Sequence, residues 1–311
     1  MSDRKTVLVT GGGGMVGRNV CEHPDAASWT VLAPRRAELD LTDGRAVAEY
    51  VAAHQPDAVI HAAGRVGGIQ ANMAHPVAYL EENVAIGRNV IMAAYNAGTE
   101  TLINLGSSCM YPREAPYPLR EDMILTSAME PTNEGYALAK VVAMRLCDYI
   151  RREKPSTQYK TIIPCNLYGP HDKFDPKNSH LLPAIIHKIH GAKTSGARAV
   201  EIWGDGTARR EFIYAGDLAG ALWKAAADPA ALEGAMNIGL GYDLAINAYY
   251  EMVAEVLGWQ GRFTHDLSKP VGMKQKLSSI ERQTAWGWTP PTDLRAGIAQ
   301  TYAHYLAHVA S

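Results

Sequence analysis

The chain reads as an α/β protein, a doubly wound parallel sheet followed by a smaller C-terminal α/β region, and three observations predict it. From Lys5 to about Cys165, short β-rich runs alternate with amphipathic stretches of helical length, as a parallel sheet flanked by helices requires. A glycine-rich turn stands directly after the first of these runs. Past Pro170 the alternation loosens, which marks a change of architecture.

The strand candidates are Thr6 to Val9, Thr30 to Ala33, Ala58 to His61, Thr101 to Leu105 and Thr161 to Cys165. Helical runs fall between them near Met15 to Cys21, Gly44 to Ala53, Val77 to Ala97 and Asn133 to Arg152. That repetition is the Rossmann arrangement. The later part carries a helix from Ser179 to His190, a strand from Val200 to Trp203, a helix from Ala215 to Ala227 and a helix near Ile246 to Leu257. Residues 1–170 are therefore expected to form the first domain and 171–311 mainly the second, with 211–230 apolar enough to return and pack on the first.

With 47% hydrophobic residues in 311, the chain can bury a sizeable core. Thirty basic residues against 32 acidic ones leave a net charge of -2, so no general field draws it to nucleic acid or anionic lipid. Cys21, Cys109, Cys147 and Cys165 form no CxxC pair, which argues against a disulfide framework or a zinc site and fits a reducing cytoplasm. No apolar stretch reaches the roughly 20 residues of a membrane span.

In Thr10-Gly11-Gly12-Gly13-Gly14-Met15-Val16-Gly17, Gly11, Gly14 and Gly17 have TGxxGxxG spacing. Their missing side chains let the backbone and the helix start at Met15 and Val16 approach a pyrophosphate. A plain strand-to-helix turn would look similar, and its place after the first strand favours the dinucleotide. The second strand should end near Pro34, where NAD-specific sites carry an acidic residue, but Arg35 and Arg36 follow. Two guanidinium groups suit a 2'-phosphate, which favours NADP(H) over NAD and over a merely solvated turn. Order along the chain then sets Asp40 and Leu41 beside the adenine and Ala62, Ala63 and Gly64 beneath the ribose.

Tyr136 and Lys140 are four apart near the start of a predicted helix and share one face. The ammonium is expected to depress the phenol pKa and to stabilise the phenolate left when Tyr136 protonates a ketone. Ser107, after the strand Thr101 to Leu105, can bond the same carbonyl oxygen. Tyr and Lys are ordinary on half-exposed helices; the glycine turn and Ser107 in this order turn the pair into a reductase signature.

The sequence resembles the extended short-chain dehydrogenase/reductases, and within them the GDP-L-fucose synthase family. The resemblance rests on Val66-Gly67-Gly68-Ile69, Gly106-Ser107-Ser108-Cys109-Met110-Tyr111-Pro112, Glu130-Pro131-Thr132-Asn133-Glu134, Asn166-Leu167-Tyr168-Gly169-Pro170-His171-Asp172, Asn178-Ser179-His180 and Arg210-Glu211-Phe212. It implies epimerisation at C3 and C5 of a GDP-4-keto-6-deoxy sugar, then reduction at C4 by NADPH, at one site. Cys109 and His180 match the family's proton-transfer pair, Cys109 removing a proton and His180 returning one from the other face. Lys140, Asn166, Leu167 and His180 join the implied cofactor contacts. Lys188, Trp203, Arg210 and Lys276 match the positions that bind the nucleotide diphosphate. Lys188 stands where the family has arginine, and Val271-Gly272-Met273-Lys274 replaces a segment that often carries an acidic residue and a proline. The resemblance also implies a homodimer through the helices Val77 to Ala97 and Asn133 to Arg152. Alternatives are another GDP-4-keto sugar, a heptose or a 3,6-dideoxy sugar, as substrate; a nucleotide-sugar 4-epimerase with tightly held NAD; or a non-catalytic NADP-binding protein.

Overall fold

The computed structural model describes residues 4–175, 179–269 and 273–310. Asn178, Val271 and Gly272, quoted above, lie outside the described residues. The strands are β1 (Thr6–Thr10), β2 (Thr30–Leu32), β3 (Ala58–His61), β4 (Thr101–Leu105), β5 (Gln158–Pro164), β6 (Asn166–Tyr168), β7 (Ala199–Trp203), β8 (Arg209–Arg210), β9 (Phe212–Tyr214), β10 (Ala235–Ile238), β11 (Leu244–Ala245) and β12 (Arg262–Asp266). The α-helices are α1 (Met15–Glu22), α2 (Gly44–His54), α3 (Ile69–Ala74), α4 (Pro76–Asn96), α5 (Glu134–Glu153), α6 (Leu181–Ser195), α7 (Ala215–Ala227), α8 (Ile246–Leu257), α9 (Glu281–Ala285) and α10 (Leu294–His308).

Six strands pair in the order β10-β5-β4-β3-β1-β2, every ladder parallel. The strand order reverses between β1 and β3, so the crevice at their C-terminal ends is where a doubly wound sheet holds its ligand. Side chains alternate faces along each strand. Val7, Val9, Ile60, Ile103 and Ile162 pack with Val20 of α1 and the apolar face of α7. Leu8, Val59, Leu102 and Tyr159 point the other way, against Val47 and Val51 of α2, Val90 and Ile91 of α4 and Ala143 and Cys147 of α5. A sheet covered on both faces needs such near-continuous apolar strands.

A further core joins α6, β7, α8 and α10 through Leu182, Ile185, Ile186, Ile189, Ile202, Val253 and Ile298. Two short pairs tie the later chain together: β6 with β9, in parallel, and β8 with β11, antiparallel. β5 begins three residues before its predicted start, because the polar run Gln158-Tyr159-Lys160 is drawn in by pairing with β4. The buried ammonium of Lys160 is satisfied by donating to Leu232 O at 2.6 Å. The sixth sheet strand, β10, the helices α3, α9 and α10, the small pairs β6–β9 and β8–β11, and β12, the partner of the predicted strand β7, were not among the predicted elements.

Candidate active site

The turn after β1 is built from contacts only glycine permits. Gly11 has φ +75°, and a Cβ on it would lie 2.8 Å from the Ala63 Cα. A Cβ on Gly17 would lie 2.1 Å from the Gly11 carbonyl oxygen. Gly14 caps α1 without any side-chain bond, so the first N–H groups of that helix face outward as donors. This cradle fits a pyrophosphate, and the fit rests on its backbone rather than on a side chain. Beneath it, Thr10 Oγ1 and His61 Nδ1 are 2.7 Å apart and buried. Burial, with the nearby Lys140 charge second, lowers the His61 pKa to about 3, so its ring is neutral.

Arg35 and Arg36 are exposed at the end of β2, and among the described residues neither guanidinium makes an ion pair with a carboxylate. Two uncommitted cations suit a 2'-phosphate. The Asp40 carboxylate accepts from Thr42 N at 3.0 Å and Thr42 Oγ1 at 2.8 Å, and those bonds hold its pKa low. Leu41 packs on the core beside α2. Ala62 and Ala63 bring their backbone against Gly11, while Gly64 sits beside the Lys140 ammonium. Asn166 donates to Glu211 O at 2.8 Å and Leu167 packs on the sheet core.

Ser107 ends the β4 connection and caps a short 3-10 turn, Ser108–Met110, its hydroxyl accepting from Cys109 N at 3.3 Å. Fully buried Met110 pins this turn into a cluster with Tyr111, Met144 and Ile163, a burial that contributes about 1.5–3 kcal/mol. α5 begins after a second 3-10 turn, Pro131–Asn133, with Glu134 in its first turn and Arg151 and Arg152 in its last, as the helix dipole favours. Tyr136 is thereby brought near the Ser107 hydroxyl, which partly opposes the effect of burial on the phenol.

The electrostatics differ from the sequence expectation. Burial raises the Tyr136 pKa, Cys109 raises it further, and Ser107 only partly opposes them. The Lys140 charge does not overcome this burial: the ammonium donates to Leu105 O at 2.9 Å and lies 5.9 Å from the centre of the phenol ring. Burial lowers Lys140 itself to about 8. Desolvation outweighs the one-turn pairing that the spacing suggested.

Cys109 Sγ accepts a hydrogen bond from Asn133 Nδ2 at 3.1 Å, and the Lys276 ammonium lies 3.9 Å from it. Cys109, Glu130, Asn133, Met273 and Lys276 line one small cleft. His180, at the N-cap of α6, keeps accessible surface, and its surroundings lower its pKa, burial first and then the charges of Lys173 and Lys276. Lys276 thus acts on both members of the Cys109 and His180 pair. Trp203, 48% exposed, has the Lys188 ammonium 5.2 Å and the Lys269 ammonium 5.7 Å from its ring centre. Arg210 donates to Met273 O at 2.7 Å. Sequence reasoning singled out neither Asn133, three residues before Tyr136, nor Lys269. Among the described residues no group of three His, Cys, Asp or Glu side chains is placed to hold a metal.

The model of the NAD dependent epimerase/dehydratase family matches residues 7–239. The chain belongs to that family. A GDP-L-fucose synthase of Azorhizobium caulinodans is 50% identical over 306 residues, covering 98% of this chain and 98% of that protein. A GDP-L-colitose synthase of Yersinia pseudotuberculosis is 48% identical over 300 residues, covering 96% of this chain and 97% of that protein. A solved GDP-mannoheptose C4 reductase from Campylobacter jejuni, with NADP bound, superposes with a TM-score of 0.89 at 27% identity, covering 98% of this chain and 99% of that one. Within the epimerase/dehydratase family, these relatives share near-complete coverage, so the resemblance read from the motifs extends over the whole fold.

Proposed function

We propose that the chain catalyses the GDP-L-fucose synthase reaction, NADPH-dependent 3,5-epimerisation and 4-reduction of GDP-4-keto-6-deoxy-D-mannose. One observation carries this reading: the Lys276 ammonium lies 3.9 Å from the Cys109 sulfur, and the charges of Lys276 and Cys109 are felt at His180 and Tyr136 respectively, so the epimerisation pair and the reductase phenol are electrostatically linked. The 50% identical relative supports the choice of sugar.

A ketone at C4 acidifies the protons on C3 and C5. Cys109, with the Asn133 N–H and the Lys276 ammonium beside its sulfur, accepts such a proton. His180 returns one from the other face, and its lowered pKa makes its protonated form a stronger acid. Ser107 and Tyr136 present O–H donors to the oxygen that gains charge as the enolate forms. Tyr136 holds its proton at neutral pH, and gives it to the C4 oxygen at reduction. Lys140, charged below about pH 8, favours the phenolate that remains. Bound NADPH supplies the hydride for C4. The glycine turn would hold its pyrophosphate, and Arg35 and Arg36 its 2'-phosphate. Lys188, Trp203 and Arg210 would take the GDP portion, Trp203 offering an exposed ring and the cations offering charge.

The 48% identical GDP-L-colitose synthase supports a second reading, the same chemistry on another GDP-4-keto sugar. Incubation with each candidate GDP-4-keto sugar in deuterated water without NADPH separates them. The assigned substrate takes up deuterium at both C3 and C5; a protein that labels neither carbon of the 6-deoxymannose compound does not carry out this reaction.

A homodimer through α4 and α5 completes the proposal. Leu80, Leu138, Val142 and Tyr149 of these helices are exposed apolar side chains, and sedimentation of Val142→Glu beside the unaltered chain tests the interface. The four cysteines are free, in keeping with a reducing cytoplasm, and no described helix is long and apolar enough to cross a membrane.

A further inference from the structure

The Asn133 carboxamide has an unusual environment. Its Nδ2 donates to Cys109 Sγ at 3.1 Å, and its Oδ1 is buried with no hydrogen-bond partner among the described residues. Buried carboxamides are normally satisfied at both ends. Here the bond to sulfur is the one side-chain hydrogen bond that Asn133 makes among the described residues, so the residue is poorly explained as local scaffolding. The capping bonds of that turn are made by Glu130, whose carboxylate accepts from Thr132 N at 3.4 Å and Thr132 Oγ1 at 3.1 Å. Asn133 also lines the same cleft as Cys109 and Lys276.

Sulfur is a weak acceptor as a thiol and a much better one as a thiolate. Two donors aimed at one sulfur, an amide N–H and an ammonium, therefore favour its anionic form. The amide adds what the ammonium cannot: a directed bond from the N-cap of α5, the helix that also carries Tyr136. Proton removal needs the sulfur held on one side of the sugar ring while Tyr136 stays at the C4 oxygen, and one short segment sets both.

We propose that Asn133 is a positioning residue for epimerisation, its amide N–H fixing the Cys109 sulfur and stabilising it as the thiolate that removes the C3 and C5 protons. The step balances within the site: the carbon–hydrogen bond breaks, its electron pair forms the enolate, and the proton moves to sulfur. The inference rests on the reaction assigned above.

The test is alkylation of Cys109 by iodoacetamide in the full-length protein, followed across pH by peptide-resolved mass spectrometry. Loss of a hydrogen bond to a charged group moves a titration by about one pH unit or more, a tenfold change in thiolate at a given pH. In Asn133→Ala the pH profile for alkylation moves upward by about one unit from that of the unaltered chain. In Asn133→Asp, which keeps the shape but replaces the donor by an acceptor, it moves at least as far. Deuterium uptake at C3 and C5 falls about tenfold or more in both variants, while NADPH binding is unchanged. Thermal melting identifies a variant that fails to fold, and the isosteric aspartate keeps the question open to measurement if alanine does. Profiles of a folded variant that coincide with the parent's overturn the proposal. The alkylation needs no sugar, so it decides the role of Asn133 even if the parent protein labels no candidate sugar, an outcome that removes only the assigned reaction.

Discussion

Gly17→Ala probes the cofactor cradle most sharply. The added methyl would lie 2.1 Å from the Gly11 carbonyl oxygen, 2.6 Å from its carbon and 2.7 Å from the Gly12 Cα. All three are backbone atoms, so no side chain can swing aside. An ordinary carbon–oxygen contact is about 3.3–3.6 Å, so the turn and α1 must separate by about 1 Å. Overpacking of this kind costs about 1–3 kcal/mol, and displacement of a binding group by about 1 Å can cost a hundredfold. The expected result is NADPH binding weakened about 10-fold to 100-fold, read by nucleotide fluorescence titration, with a lower melting temperature. Gly13→Ala is the internal control: a Cβ there meets nothing within 4 Å, and binding should stay within about threefold of the parent. Gly17→Ala protein that binds NADPH and melts like the parent would refute the packing argument.

Four further outcomes follow from the same geometry. Replacing Arg35 and Arg36 together by alanine should weaken NADPH about tenfold or more and leave NADH within about twofold, because only the 2'-phosphate loses its partners; competition titrations check this. Lys140 has a folded pKa of about 8, below its ordinary 10.5, so the unfolded chain binds the extra proton between those values. Its contribution to stability therefore rises as pH climbs from about 8 to about 10.5, a rise absent from Lys140→Met in denaturant unfolding. kcat/KM for NADPH should meanwhile fall as pH passes about 8 and the ammonium that favours the phenolate is lost. Thr10→Val leaves the buried His61 Nδ1 without its 2.7 Å partner, and should lower stability by about 1–3 kcal/mol in calorimetry.

The sheet was legible because its strands are apolar on both faces; Ala58–His61 and Thr101–Leu105 are bounded as predicted. β10 escaped because Ala-Met-Asn-Ile is too short to declare itself and joins β5 from some 70 residues away. The first three residues of β5 escaped because Lys160 is polar in sequence but satisfied in the fold. At the site, spacing alone could place Tyr136 and Lys140 on one helix face. It could not say that Lys140 reaches for Leu105 O, since burial and the position of a carbonyl in another strand decide that. Lys276 was expected among the groups for the nucleotide diphosphate, and its 3.9 Å approach to Cys109 joins positions 167 apart in sequence, which only the fold brings together. Asn133 lay inside a quoted motif, but its bond to sulfur depends on how two 3-10 turns meet.

The most direct measurement is the product formed from GDP-4-keto-6-deoxy-D-mannose with NADPH, its stereochemistry read by NMR. The assigned reaction predicts NADPH consumption with inversion at C3 and C5 and a hydroxyl at C4. NADPH consumed with both centres retained, or a sugar left unreduced, would contradict it.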